Sequence, residues 1–130
     1  MRKKVIPALV LLSLMLTGCA SPAPQAGAYR QVTMQEAVEM MEAEEGYIIL
    51  DVRTEQEFAS GHIPGAVLLP NESIGTEDPD CLPDKDQLIL VYCRSGNRSK
   101  QASDKLARLG YTNVVEFGGI NSWPGEIKTE

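Results

Sequence analysis

The sequence predicts an α/β domain of three layers built around a parallel sheet. Three observations carry this expectation. Short apolar runs alternate with amphipathic stretches over about a hundred residues, the pattern that places helices between parallel strands. Two of the runs, 47–52 and 88–92, are apolar almost throughout, as strands buried on both faces require. Two capping boxes, Thr33-Met34-Gln35-Glu36 and Thr54-Glu55-Gln56-Glu57, each open a helix shortly after a strand candidate.

Taken in order, Tyr29 to Val32 is a short strand candidate. The first capping box starts a helix with Ala37, Val38 and Met41 on its apolar stripe, ending before Gly46. Tyr47 to Val52 is a buried strand whose apolar run stops at Asp51. The second box opens a short helix that Gly61 stops, and Arg53 with Glu57 forms an i,i+4 pair worth a few tenths of a kcal/mol. "GHIPGAVLLP" turns on Gly61, Pro64 and Gly65 into a strand over Val67 to Leu69. Asn71 to Gln87 reads as a polar loop with one helical turn, and its acidic stretch Glu77 to Asp86 as a solvated face. Leu88 to Tyr92 is the most apolar strand candidate. Ser99 to Leu109 is a helix with Ala102, Leu106 and Leu109 on one face and Gly110 at its C′ position. Val114 to Phe117 is the last strand, and "GGINSWPGE" closes the chain as loop and turn.

Ahead of this domain, residues 1–18 have the make-up of a signal peptide: Met-Arg-Lys-Lys, then an apolar run from Val5 to Leu16. The run falls short of the roughly 20 residues a spanning helix needs. It ends in Leu16-Thr17-Gly18-Cys19, which resembles the lipobox of bacterial lipoproteins. That resemblance implies a lipidated Cys19 as the new N-terminus. A diacyl-type anchor would then hold the protein on the extracytoplasmic face of a bacterial membrane, at about 0.8 kcal/mol per buried CH₂. Residues 19–28 comprise this cysteine and the tether "ASPAPQAGA", which reaches at most about 28 Å. The folded domain is expected over 29–127.

The whole chain carries 12 basic and 18 acidic residues. Removal of residues 1–18 takes away Arg2, Lys3 and Lys4, leaving 9 basic residues against 18 acidic ones and a net charge of −9. Bulk electrostatics therefore argues against nucleic acid or an anionic lipid surface as partner. Against that acidic background, Arg94, Arg98 and Lys100 concentrate positive charge around Cys93. Cys81 is the other thiol in a compartment where disulfides form. A Cys81–Cys93 bridge is disfavoured, because Cys93 ends a strand about 16 Å long that Cys81 precedes. Bridged Cα atoms lie within about 7 Å.

"VYCRSGNRSKQAS" carries the chemistry. A loop between a strand and a helix N-terminus points main-chain N–H groups at one spot, and the helix dipole adds roughly half a positive charge there. A thiol at that spot is held as thiolate. Arg94 and Arg98 favour the same ionisation and attract an anionic co-substrate, while Ser95, Gly96 and Asn97 tolerate the tight turn. The bland alternative is that Cys93 packs as a small hydrophobe at a strand end. A cysteine-phosphatase loop places Arg after Cys and five residues; here Ser99 holds that place and Arg98 comes one residue early. The cradle is too short for a phosphoryl group and suits a single sulfur atom.

"ILDVRTEQEFASGHIPGAVLLP", "VYCRSGNRSKQAS" and "GYTNVVEFGGINSWPG" resemble, in that order, the signatures of the single-domain rhodaneses, a sulfurtransferase family; the likeness spans residues 29 to 126. It implies a rhodanese-like five-stranded parallel sheet with helices on both faces. Cys93 would carry a sulfane sulfur as a persulfide, cradled by the main-chain N–H groups of Arg94, Ser95, Gly96, Asn97, Arg98 and Ser99. Arg94 and Arg98 would orient a small anionic donor, thiosulfate or a persulfide. A thiol, possessed by a small molecule or a protein, or cyanide would collect the sulfur. The resemblance implies no metal and no organic cofactor.

The remaining conspicuous residues read as structure. Asp51 and Arg53 close a strand near the site. His62, the only histidine, lies in a turn, and a pre-ionised thiolate needs no base. Gly118, Gly119 and Trp123 line or cover the pocket, Trp123 chiefly as a packing anchor. Two other functions stay open: a thiol–disulfide relay using Cys93 with Cys81 or a partner's thiol, and an idle domain that presents a partner-binding surface.

Overall fold

The computed structural model describes residues 28–129. The signal peptide, Cys19 and the tether up to residue 27 lie outside the described residues. Five strands alternate with three helices: β1 Arg30–Gln31, α1 Met34–Ala43, β2 Ile48–Asp51, α2 Glu55–Ser60, β3 Val67–Leu68, β4 Ile89–Cys93, α3 Asn97–Arg108 and β5 Val114–Gly119. Single 3-10 turns follow β3 at Asn71–Ser73 and β5 at Ile120–Ser122. The sheet order is β1-β5-β4-β2-β3, and every pairing is parallel. β4 is thus central, and its five residues are all buried.

Because side chains alternate along a strand, the sheet feeds two cores. Leu50, Val52, Ile89, Val91, Cys93 and Val114 pack with Ala102 and Leu106 of α3 on one face. Ile49, Leu90, Tyr92, Val115 and Phe117 pack with Ala37 of α1 on the other. Each large apolar side chain so buried contributes about 1.5–3 kcal/mol. Helices therefore cover both faces, as expected.

The expected caps form. Thr33 Oγ1 accepts from Glu36 N (3.1 Å) and Thr54 Oγ1 from Glu57 N (3.2 Å). At the end of α3, Gly110 takes φ 97° while its N–H reaches the Ala107 carbonyl and the Tyr111 N–H reaches that of Leu106, a Schellman closure.

Two expectations shift. The helix expected from Ser99 begins at Asn97, because Gly96 at φ 113° supplies the left-handed cap and draws Asn97 and Arg98 into the first turn. The i,i+4 pair expected between Arg53 and Glu57 does not form. Arg53 instead folds back on Asp51, its Nη2 lying 2.7 Å from Oδ2 and 2.7 Å from the Gly61 carbonyl. Tyr92 donates to the same carboxylate at 2.7 Å, with Asp51 wholly buried. A carboxylate in that position outweighs a solvated pair, since leaving it unpaired in the interior is far costlier. The network joins the ends of β2 and β4 to the turn at Gly61. His62 pairs antiparallel with Lys128 beyond it, so the chain stays in contact with the domain past residue 127.

Candidate active site

Cys93 is the last residue of β4, and α3 starts four residues later at Asn97. The strand end, the glycine cap and the helix N-terminus wrap the intervening chain around the thiol. Gly96 N lies 3.0 Å from Cys93 Sγ and Ser99 Oγ 3.4 Å from it. Cys93 is 1% exposed. Burial works against ionisation, yet the Ser99 hydroxyl and the N–H groups of Ser99, Gly96 and Ser95 outweigh it and hold the thiol below its ordinary range. Of the six N–H groups expected in the cradle, that of Gly96 reaches the sulfur at 3.0 Å, and those of Ser95 and Ser99 also favour its anion.

No motif in the sequence singles out Glu116. It lies on β5 facing α3, 3% exposed, and its Oε1 accepts from Ser99 Oγ (2.7 Å) and Gly118 N (2.8 Å). Ser99 has a single hydroxyl proton, and Glu116, the Gly96 carbonyl (2.9 Å) and the sulfur all lie within its reach. The signal was available: an acid inside a strand that otherwise reads as buried on both faces requires a partner. Beside it, the β4–β5 register slips between Val91 and Cys93, so that Cys93 opposes Gly119. Gly119 presses directly under the loop, where a Cβ would drive into the Arg94 carbonyl and reach 2.7 Å from Ser95 Cα.

The two arginines differ. Arg98 makes a two-pronged pair with Glu57, Nη1 to Oε1 at 2.7 Å and Nη2 to Oε2 at 2.9 Å. The Arg98 hydrogen bond lowers the Glu57 carboxyl to about 2. Arg94 is exposed and makes no side-chain hydrogen bond or ion pair among the described residues. It lines a cleft of about 290 Å³ with Arg53, Glu57, Ser60, Ile120 and Asn121. Lys100 is exposed on α3.

His62 Nδ1 donates to the Phe58 carbonyl (2.9 Å), and its ring stacks on Phe58 at 3.8 Å, a structural setting. Trp123 donates to the Glu126 carbonyl (3.1 Å) and packs on the α1-side core. Cys81 is an exposed free thiol and Cys93 a buried free one. The described residues hold no cluster of His, Cys, Asp and Glu fit for a metal ion.

The arrangement can hold a sulfur anion in a ring of donors at a strand end, which is where ligands sit in parallel sheets. The chain is similar to known sulfurtransferases. The chain is 34% identical over 71 residues to thiosulfate sulfurtransferase PspE of Escherichia coli (strain K12), covering 55% of this chain and 68% of that protein. It is 33% identical over 103 residues to thiosulfate sulfurtransferase GlpE of Pseudomonas entomophila (strain L48), covering 75% of this chain and 91% of that protein. Among solved structures, the rhodanese-like domain of an Anabaena sp protein superposes with a TM-score of 0.68 at 28% identity, over 77% of this chain and 79% of that one. The family model for the rhodanese-like domain matches residues 33–126, and on that span of sequence as well as on its fold, the chain belongs to the rhodanese-like family.

Proposed function

We propose that this protein moves a sulfane sulfur from a small anionic donor, such as thiosulfate, to a thiol or cyanide through a persulfide on Cys93. It does so outside the cytoplasm, tethered to a membrane by lipid on Cys19. That the chain is a rhodanese-type sulfurtransferase follows from its relatives. The persulfide route is supported by the Cys93 thiol, kept below its ordinary range inside a cradle of N–H and hydroxyl donors.

In the first half-reaction the Cys93 thiolate attacks the outer sulfur of the donor. A new S–S bond forms at Cys93, the donor's S–S bond breaks, and its electron pair leaves with sulfite. The cradle then faces Cys93–S–S⁻, an anion of unchanged charge one atom longer. In the second half-reaction an acceptor thiolate or cyanide takes the outer sulfur and returns the thiolate. Two easier displacements replace one hard transfer, as in covalent catalysis generally. Leu16-Thr17-Gly18-Cys19 supports the tether and the location.

Intact mass spectrometry tests the chemistry. Incubation of the reduced protein with thiosulfate is expected to add one sulfur atom, lost again to cyanide as thiocyanate and never gained by Cys93→Ser. No gain on a freely alkylated Cys93 removes thiosulfate as donor. The relay reading predicts instead that Cys81→Ser alters activity, whereas the persulfide route is indifferent to it; the exposed Cys81 and sealed Cys93, unbridged, favour the latter.

A further inference from the structure

We infer that Glu57 selects the sulfur donor: by occupying Arg98 it leaves Arg94 as the one unpaired arginine of the cleft among the described residues, which suits a singly charged persulfide better than dianionic thiosulfate. This rests on the persulfide chemistry assigned to Cys93 and narrows its donor.

The charges at the cleft can be followed one by one. Arg53 is committed to buried Asp51 through Nε and Nη2 and cannot turn outward without stranding that carboxylate. Beside the cleft, Arg98 is held by both oxygens of Glu57, which lines it. The Glu57 carboxyl stays ionised throughout the neutral range. Among the described residues that line the cleft, Arg94 is the arginine left without a partner, and the thiolate beyond it must itself be negative to react. A donor bearing two charges therefore meets one cation, one carboxylate whose own partner is already engaged, and an anion. A donor bearing one charge, such as cysteine persulfide at neutral pH, is matched by Arg94. The pair is only partly screened, with side chains 27% and 28% exposed, so its charges are felt within the cleft.

Charge arithmetic makes the prediction specific. Glu57→Gln releases Arg98 and adds one unit of positive charge. The KM for thiosulfate should fall about fivefold at low ionic strength, and that for cysteine persulfide about twofold, since the gain scales with donor charge. Arg98→Gln should shift both in the opposite direction, again more for thiosulfate. The double variant restores the wild-type charge, so its KM values should return close to wild type for both donors. All differences should shrink in concentrated salt.

The measurement is donor KM and kcat for the full chain in detergent with both donors, for wild type, both single variants and the double variant. A thiosulfate KM that rises in Glu57→Gln, or moves equally for both donors, overturns the inference. So does a double variant worse than either single one, because Glu57 would then merely scaffold the loop. Failure of the underlying reading is told apart by mass: a wild-type chain that gains sulfur from neither donor overturns the persulfide assignment, and donor selection with it.

Discussion

At Cys93 the outcome is decided by a contest between burial and hydrogen bonding. A sealed thiol in an apolar core stays protonated and inert. Here burial is the largest influence, and the Ser99 hydroxyl heads the donors that together overcome it. Ser99→Ala should therefore move the inflection of alkylation rate against pH upward. The sign follows from the anion losing a donor, which leaves less thiolate at neutral pH. Alkylation by iodoacetamide there should slow about tenfold, the scale of one hydrogen bond to a charged group. Glu116→Gln should move the inflection the other way. Its amide oxygen keeps the place that accepts from Gly118 N but is a weaker acceptor than a carboxylate, so it competes less with the sulfur for the Ser99 proton, and a nearby negative charge disappears. Equal inflections in wild type and Ser99→Ala would mean that the main-chain N–H groups suffice alone. Cys93 was legible from its neighbours; Ser99 was legible only as a backbone donor, because the role of its hydroxyl depends on Glu116, 17 residues away.

Elements place these atoms through close approaches that local patterns do not encode. Both capping boxes were readable because a cap involves residues three apart. The partner of Glu57 was not, since helix spacing offered Arg53 while the fold delivered Arg98, 41 residues along. The end of β5 was missed for a similar reason. Gly118-Gly119 reads as a turn, yet the strand continues to Gly119 because Gly118 adopts φ 99° beside the register slip against β4. That slip brings the backbone of β5 under the cradle. Gly119→Ala should consequently displace the loop while sparing the two cores. The expected signature is a stability loss of about 1–3 kcal/mol, the usual cost of overpacking, with a much larger fall in sulfur loading, about tenfold or more if the N–H donors move off the sulfur. Urea unfolding and intact mass on one sample separate these effects. Full sulfur loading in the alanine variant would show that the loop holds its shape without the close contact.

For the whole molecule, alternation of strands and helices announced the architecture, and the apolar character of residues 88–92 announced the central strand. Strand order β1-β5-β4-β2-β3 was not legible, because parallel strands far apart in sequence pair through contacts that no local window contains. Charge acts at the same scale. Were residues 1–18 removed as proposed, the net charge of −9 would set the chain against an anionic bilayer, and adsorption by basic patches would not hold it to one. No helix among the described residues is long and apolar enough to cross a membrane. The proposed lipid on Cys19 would then supply the membrane residence, and two acyl chains at about 0.8 kcal/mol per CH₂ would make it stable where one would be marginal. Cys19→Ala should shift the protein from the membrane pellet to the soluble fraction, with sulfur transfer per molecule retained, because Cys93 and its cradle lie in a domain that closes on itself. Wild-type protein should stay in the pellet through a wash in concentrated salt, which strips electrostatic adsorption and leaves lipid anchors in place. A soluble wild type, or a Cys19→Ala variant that still pellets, would refute the anchor. The second result would point to a protein partner in the membrane as the holdfast, since neither charge nor a spanning helix in the described domain could account for it.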